Sequence, residues 1–288
     1  MNAPHSFLPE RIEALLAPDG LHLHRNGDHR LVALAADQDA GMENTEAWRA
    51  PLAALDRELR TRPARCLRGT TQLPAALAAR LAPRLDIVLS EHFVRWLPLP
   101  WQAELETPEE QEAYARHSFR AVYGEVARHW LVRCAAQPPG AAIPACAIDD
   151  ALVAALRQLA AIHGCLLGSL RPLFAVAADR WQRKLPRGGT AWFAMLEPGR
   201  LSLGLLRNRR WQAMHGEPVP TPQESGELLA GLVVRSALSA GIAPGDGRLV
   251  LCGEGADRCP VPLPEESVRR LGSALAWTAT SRVARRIA

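Results

Sequence analysis

The sequence predicts an α/β protein of two lobes, and two observations carry that expectation. Short alternating strands closed by Gly, Asn and Pro turns are followed by capped helices, and the same order starts again near residue 190. The composition agrees. Of 288 residues, 48% are hydrophobic and 22% charged, which supplies a core and is too balanced for a disordered chain.

The opening MNAPHSFLPERIEALLAPDG has an early acidic residue and no apolar stretch after a basic start, so it does not read as a secretory signal. No apolar run approaches the roughly 20 residues that cross a bilayer. The expected location is the cytoplasm, with any membrane contact made through a partner.

Leu21–Arg25 and Arg30–Ala35 read as a hairpin around Asn26-Gly27-Asp28. His22 and His24 alternate, as two residues on the exposed face of an edge strand would. Glu46–Arg60 reads as a helix, and Pro74–Leu81 as a shorter one stopped by Pro83. Leu85–Trp101 reads as strand, turn at Ser90-Glu91-His92, strand, and then a proline corner. Thr107 is a fitting N-cap, with Pro108, Glu109 and Glu110 in the first turn and a break at Gly124. Trp130–Ala135 and Ala141–Ile148 are strands. A helix from Asp149 to Ile162 stops at His163-Gly164. Cys165–Leu170 reads as a buried strand and Leu173–Lys184 as a helix.

The second set opens with a meander of Thr190–Leu196, Arg200–Arg207 and Arg210–His215. Its turns fall at Glu197-Pro198-Gly199 and Asn208-Arg209. Trp192 and Trp211 are expected in its core. Helix Gln223–Ala240, core strand Arg248–Cys252 and a helix or turn over Glu265–Leu275 follow.

Several chemistries are excluded. Lys184 is the only lysine and no Gly-rich loop precedes it, so there is no Walker-type phosphate loop. Ser169 carries only half of a nucleophile elbow. The six cysteines form no C-x-x-C pair and read as small core residues rather than zinc ligands. The net charge of +4 is spread along the chain and implies no nucleic-acid field. The Arg282, Arg285 and Arg286 end reads as a solvated turn.

Three stretches resemble the actin-like ATPase superfamily, and within it PilM of type IV pili and the cytoplasmic part of GspL of type II secretion. DIVLSEHFVRWLPLPWQAELETPEEQEAYARHSFRAVYG is similar to their inserted subdomain. LAAIHGCLLGSLRPLFAVAADRW resembles the segment that joins the lobes, and TAWFAMLEPGRLSLGLLRNRRWQAM the meander that opens the second lobe. The resemblance implies two RNase H-like repeats. The first lobe would span residues 1–172, with an insert near 85–135, and the second 173–288.

In that family, two hairpin turns cradle nucleotide phosphates and a Gly-rich loop holds adenosine, with ATP and Mg²⁺ as the ligands. The resemblance therefore implies cofactor-site roles for Asp19, Glu197, Gly199, Gly253 and Gly255. Ordinary turn geometry explains the same residues. Pro198 removes an N–H donor where the phosphate turn needs one, so the expectation is a degenerate site without hydrolysis and no catalytic residues. The implied function is a cytoplasmic adaptor that binds the cytoplasmic tail of an inner-membrane assembly protein, with homo-oligomers left open. Trp96, Trp101 and the Leu-Pro corner are candidate contacts. The alternative is an active Mg-ATP-dependent ATPase or phosphotransferase with Glu197 and Asp19 facing each other. A third reading takes Arg207, Arg209 and Arg210 as a site for an acidic ligand, against a solvated hairpin tip.

Overall fold

The computed structural model describes residues 9–34, 46–64, 81–219, 224–243, 245–261, 263–272 and 274. In chain order the elements are β1 (Arg11–Ala17), β2 (Gly20–Arg25), β3 (Asp28–Ala33), α1 (Arg49–Thr61), β4 (Arg84–Leu89), β5 (Val94–Leu99), α2 (Pro108–Tyr123), β6 (Trp130–Cys134) and β7 (Ile143–Asp149). They continue with α3 (Asp150–Ile162), β8 (Leu166–Pro172), α4 (Leu173–Trp181), β9 (Thr190–Glu197), β10 (Arg200–Arg207), β11 (Arg210–Pro218), α5 (Ser225–Ser239), β12 (Arg248–Gly253) and β13 (Val268–Arg270). The helix expected over Pro74–Leu81, residue Cys66 and the arginines after residue 280 fall outside the described residues, apart from Leu81 itself.

Contacts separate two compact units. One draws on Met1–Ser90 and Ala151–Arg171, the other on Glu91–Asp150 and Pro172–Ala288.

The first unit holds a five-stranded sheet ordered β3-β2-β1-β4-β8. β1 pairs antiparallel with β2 and parallel with β4. Ile12, Ala14 and Leu16 alternate onto one face and are fully buried, each Leu or Ile contributing roughly 2 kcal/mol by leaving water. α1 packs on β1 and β2, burying Leu55 and Leu59, while its Glu58 pairs with Arg30 of β3 at 2.9 Å. The opposite face carries a polar row: Glu13 lies 3.3 Å from His24, and Asp86 accepts from Arg11 and from the Ser169 hydroxyl.

RIEALLA forms a strand, β1, for which the sequence offered no signal. Two expectations are corrected in this unit. β2 is paired on both sides, so His24 is buried rather than lying on an exposed edge; the edge strand is β3. The strand after Gly164 lies at the other edge of the sheet and is mostly half-exposed, not buried.

The second unit repeats the strand order as β11-β10-β9-β12-β13. β9, β10 and β11 run antiparallel, and β12 is parallel to both β9 and β13. On one face Trp192, Leu201, Leu203, Leu205, Leu249 and Leu251 form a core with Leu229, Leu232 and Val233 of α5. On the other, Phe174 of α4 meets Phe193 edge-on and Trp211 at a tilt. Gly204 leaves the room that the half-buried Trp211 ring fills. α4 ends at Trp181, one turn earlier than expected. Of the helix or turn expected over Glu265–Leu275, Glu265–Ser267 form a 3-10 turn, while Val268–Arg270 form a strand, because β12 offers them a free edge to pair with.

The insert, still within this unit, is a three-stranded antiparallel sheet ordered β5-β7-β6. α2 covers it through Ala115 and Phe119. Thr107 and Glu110 cap α2 reciprocally, and the helix stops at Gly124. The observed architecture is thus two mixed sheets plus a small antiparallel one, the two-lobed α/β plan with an insert that the sequence implied.

Candidate functional site

Of the residues that the sequence singles out, Glu197, Gly199, Gly253 and Gly255 sit at one end of the second unit's sheet, around the β9–β10 hairpin. Leu196 and Leu201 are buried partners across it and fix its register, so Glu197 faces Arg200 and the turn falls on Pro198-Gly199. Gly199 supplies the left-handed φ of 74° that the turn demands.

This tip is engaged by its own chain. After β4 the backbone makes a tight 3-10 turn over Glu91–Phe93. The Glu91 N–H donates to Glu197 Oε2 at 3.0 Å. The His92 Nε2 lies 2.8 Å from the Pro198 carbonyl oxygen. Because a carbonyl can only accept, Nε2 carries the proton. The same ring lies 3.5 Å from the position a Cβ on Gly199 would take.

Glu91 itself is fully buried. One carboxylate oxygen accepts the Phe174 N–H at 2.8 Å in the first turn of α4, and the other accepts the Trp96 indole N–H. The positive end of α4 favours an anion here. Burial works against it and prevails, pushing the carboxyl up to about 7, while the Phe174 and Trp96 bonds and the charges of Arg200 and Arg95 pull it back. Arg95 spends its guanidinium on the carbonyls of His92 and Val94. Burial, then Glu91, pushes the Cys146 thiol up to about 12, which keeps it protonated.

The Gly-rich loop follows β12. Gly253 pairs with Leu196 in the parallel ladder, and a Cβ there would overlap the Leu196 carbonyl oxygen. Its φ of 103° excludes other residues as well. The Glu254 N–H donates to that same carbonyl at 3.0 Å. Gly253 is therefore required by strand packing. Gly255, at φ 76°, has open space where a side chain would be, and its carbonyl receives the Cys259 N–H.

Glu197, Gly199, Gly253 and Gly255 thus belong to one sheet end in the second unit. Asp19 belongs to the first unit, in the turn Ala17-Pro18-Asp19-Gly20 of the β1–β2 hairpin. There the Leu34 N–H closes the turn on the Asp19 carbonyl at 2.9 Å, and β3 crowds Gly20. Each hairpin turn carries a proline, so each lacks a backbone donor.

Tested against Mg-ATP, the second hairpin fits poorly. Pro198 has no N–H to give, the Glu197 carboxylate already receives Glu91, and Gly253 is consumed by the ladder. Among the described residues no group of three or more His, Cys, Asp or Glu is placed to hold a metal ion. Trp96 is committed to Glu91, whereas Trp101 is 42% exposed. Arg207, Arg209 and Arg210 are exposed at the β10–β11 tip.

Sequence reasoning placed the turn at Ser90-Glu91-His92 but missed its role. A Glu-His pair one serine after the apolar run IVL was the available signal, but its partners lie 106 residues further on.

No family model matches the chain, and no curated protein matches it. Solved structures do match. A Bacteroides thetaiotaomicron protein with actin-like ATPase fold and unknown function aligns over 99% of both chains, with a TM-score of 0.54 and 10% identity. The cytoplasmic domain of EpsL, an inner-membrane component of the Vibrio cholerae type II secretion system, aligns over 96% of this chain and 95% of its own, with a TM-score of 0.53 and 9% identity. A chain of the PilM–PilN type IV pilus biogenesis complex aligns over 91% of this chain and 90% of its own, with a TM-score of 0.56 and 16% identity. This chain has the actin-like ATPase fold. Among the described residues no helix is long and apolar enough to cross a membrane.

Proposed function

We propose that this protein is a scaffold of a type IV pilus or type II secretion-like assembly platform. It binds the cytoplasmic tail of an inner-membrane protein, and its nucleotide site is degenerate. The observation that carries the reading is the self-occupied β9–β10 hairpin, where Glu91 and His92 of the same chain bind Glu197 and Pro198 and Pro198 offers a phosphate no N–H donor. The fold shared with EpsL and with the PilM–PilN complex supports the choice of apparatus. The exposed Trp101, just past the Leu-Pro corner of β5, is an apolar anchor for such a tail.

The test is titration of the purified chain with the cytoplasmic tails of inner-membrane pilus and secretion proteins from the same organism. Saturable binding of one tail, equal with and without Mg-ATP and weakened by Trp101→Ala, is the expected result. Absence of binding by every tail would overturn the scaffold.

A second reading, an active Mg-ATP-dependent ATPase or phosphotransferase, is favoured by two observations. Asp19-Gly20 does fall at the tip of the first hairpin, and Gly255 has free space around it. Phosphate release that rises with enzyme concentration and is abolished by Asp19→Asn would establish it.

A further inference from the structure

Three histidines share one face of the β2–β3 hairpin. His22 and His24 lie two residues apart on β2, so they point to the same side of the sheet, and His29 on β3 is paired directly with His24. His22 and His29 are then diagonal neighbours across the two strands, a spacing that ring-bearing side chains bridge. Their rings do meet: the centroids are 5.6 Å apart and the planes 21° from parallel. The third ring is committed elsewhere, because His24 Nδ1 lies 3.3 Å from Glu13 Oε2 on β1. Nothing in the scaffold reading above uses this face of the first unit.

His22 carries an unsatisfied nitrogen. Its Nδ1 is buried and has no hydrogen-bond partner, although polar atoms out of reach of water are ordinarily paired with the protein, a bound water or an ion. Burial first, and then the charge of His29, lowers the pKa of His22 below its usual value, against a smaller pull from Asp19. At pH 7 the ring is therefore neutral and keeps a lone pair. His29 lies exposed on the edge strand, where its ring turns without disturbing the ladder. Two imidazoles bound through nitrogen to one tetrahedral ion at about 2.0–2.1 Å have ring centres roughly 5 Å apart. The observed 5.6 Å is within a small ring rotation of that arrangement.

We propose that His22 and His29 form a two-imidazole site for a divalent transition-metal ion of the zinc, nickel and copper class, with water completing the coordination. Imidazole nitrogens suit that class, whereas magnesium and calcium take oxygen ligands. The site uses two side chains, in keeping with the absence of any group of three metal-binding residues among those described. Asp19, close enough to act on His22, adds negative charge that favours a cation. All of these residues belong to the first unit, so the site does not depend on the second unit's hairpin or on the identity of any tail.

Isothermal titration calorimetry of the full chain with zinc chloride at pH 7.5 tests it, after stripping with a chelator and with a thiol-free reductant present. One Zn²⁺ should bind per chain. His22→Ala and His29→Ala should each weaken binding by about tenfold or more, since even an outer partner of a metal ligand is worth that much. His24→Ala should leave it little changed. Absence of saturable binding would overturn the proposal. So would binding that survives His29→Ala, which would assign the ion to the cysteines or to other histidines. A loss in His24→Ala equal to that in His29→Ala would overturn the pairing of His22 with His29. Should His22→Ala fail to fold, ring-proton NMR of the wild type decides. Two histidine rings that shift together, saturate at one equivalent of zinc and return with EDTA support the site, and rings that do not respond contradict it.

Discussion

The β1–β2 and β9–β10 hairpins occupy the same place in two sheets of the same strand order, and each turns on a proline. Their tips nevertheless differ. The first is closed within its own sheet, by Leu34 on the Asp19 carbonyl. The second is held by side-chain and backbone groups from the turn after β4 and backed by a glycine locked onto Leu196. A repeated fold does not oblige its repeats to keep one chemistry. Here the second repeat's turn is contacted by Glu91 and His92, which have no counterpart contact on the Asp19 carbonyl.

Substitutions can break this contrast, and Gly253→Ala should do most. The new methyl overlaps the Leu196 carbonyl at a φ that alanine avoids, so chemical denaturation should show a loss of about 3 kcal/mol or more. Next is Glu91→Ala, which strands the Phe174 and Trp96 N–H groups without an acceptor. About 2 kcal/mol should be lost at pH 5.5, and less at pH 8.5, where burial of the ionised acid already works against the wild type. His92→Ala removes one neutral hydrogen bond to Pro198 and should cost about 1 kcal/mol by the same assay. The smallest effects belong to the open positions. Gly255→Ala should cost about 1 kcal/mol from its φ alone, and Asp19→Ala within about 0.5 kcal/mol. An Asp19→Ala loss equal to that of Glu91→Ala would erase the distinction between the two tips.

Much of this was legible from local chemistry. Asn26-Gly27, Glu197-Pro198-Gly199, Asn208-Arg209 and the Thr107 cap all follow from the dihedrals and donors those residues supply, and the structure has each in place. What failed was decided at long range. RIEALLA is built of helix formers, and β2 and β4 make it a strand by pairing with it. Val268–Arg270 is a strand because β12 lies beside it. The resemblance directs attention to the hairpin ends. Yet the groups that occupy the second tip, Glu91 and His92, are remote in sequence, and no periodicity links them to Pro198.

The measurement closest to the central claim is thermal unfolding of the wild-type chain with Mg-ATP titrated into the millimolar range. If Glu91 and His92 already occupy the second hairpin tip, the unfolding temperature should not move beyond that seen with Mg²⁺ and sodium phosphate alone. A saturable rise would contradict the account. A ligand held by the native state adds roughly 2.7 kcal/mol at a hundredfold excess over Kd, and a rise of that kind abolished by Gly255→Trp would place nucleotide at the loop after β12.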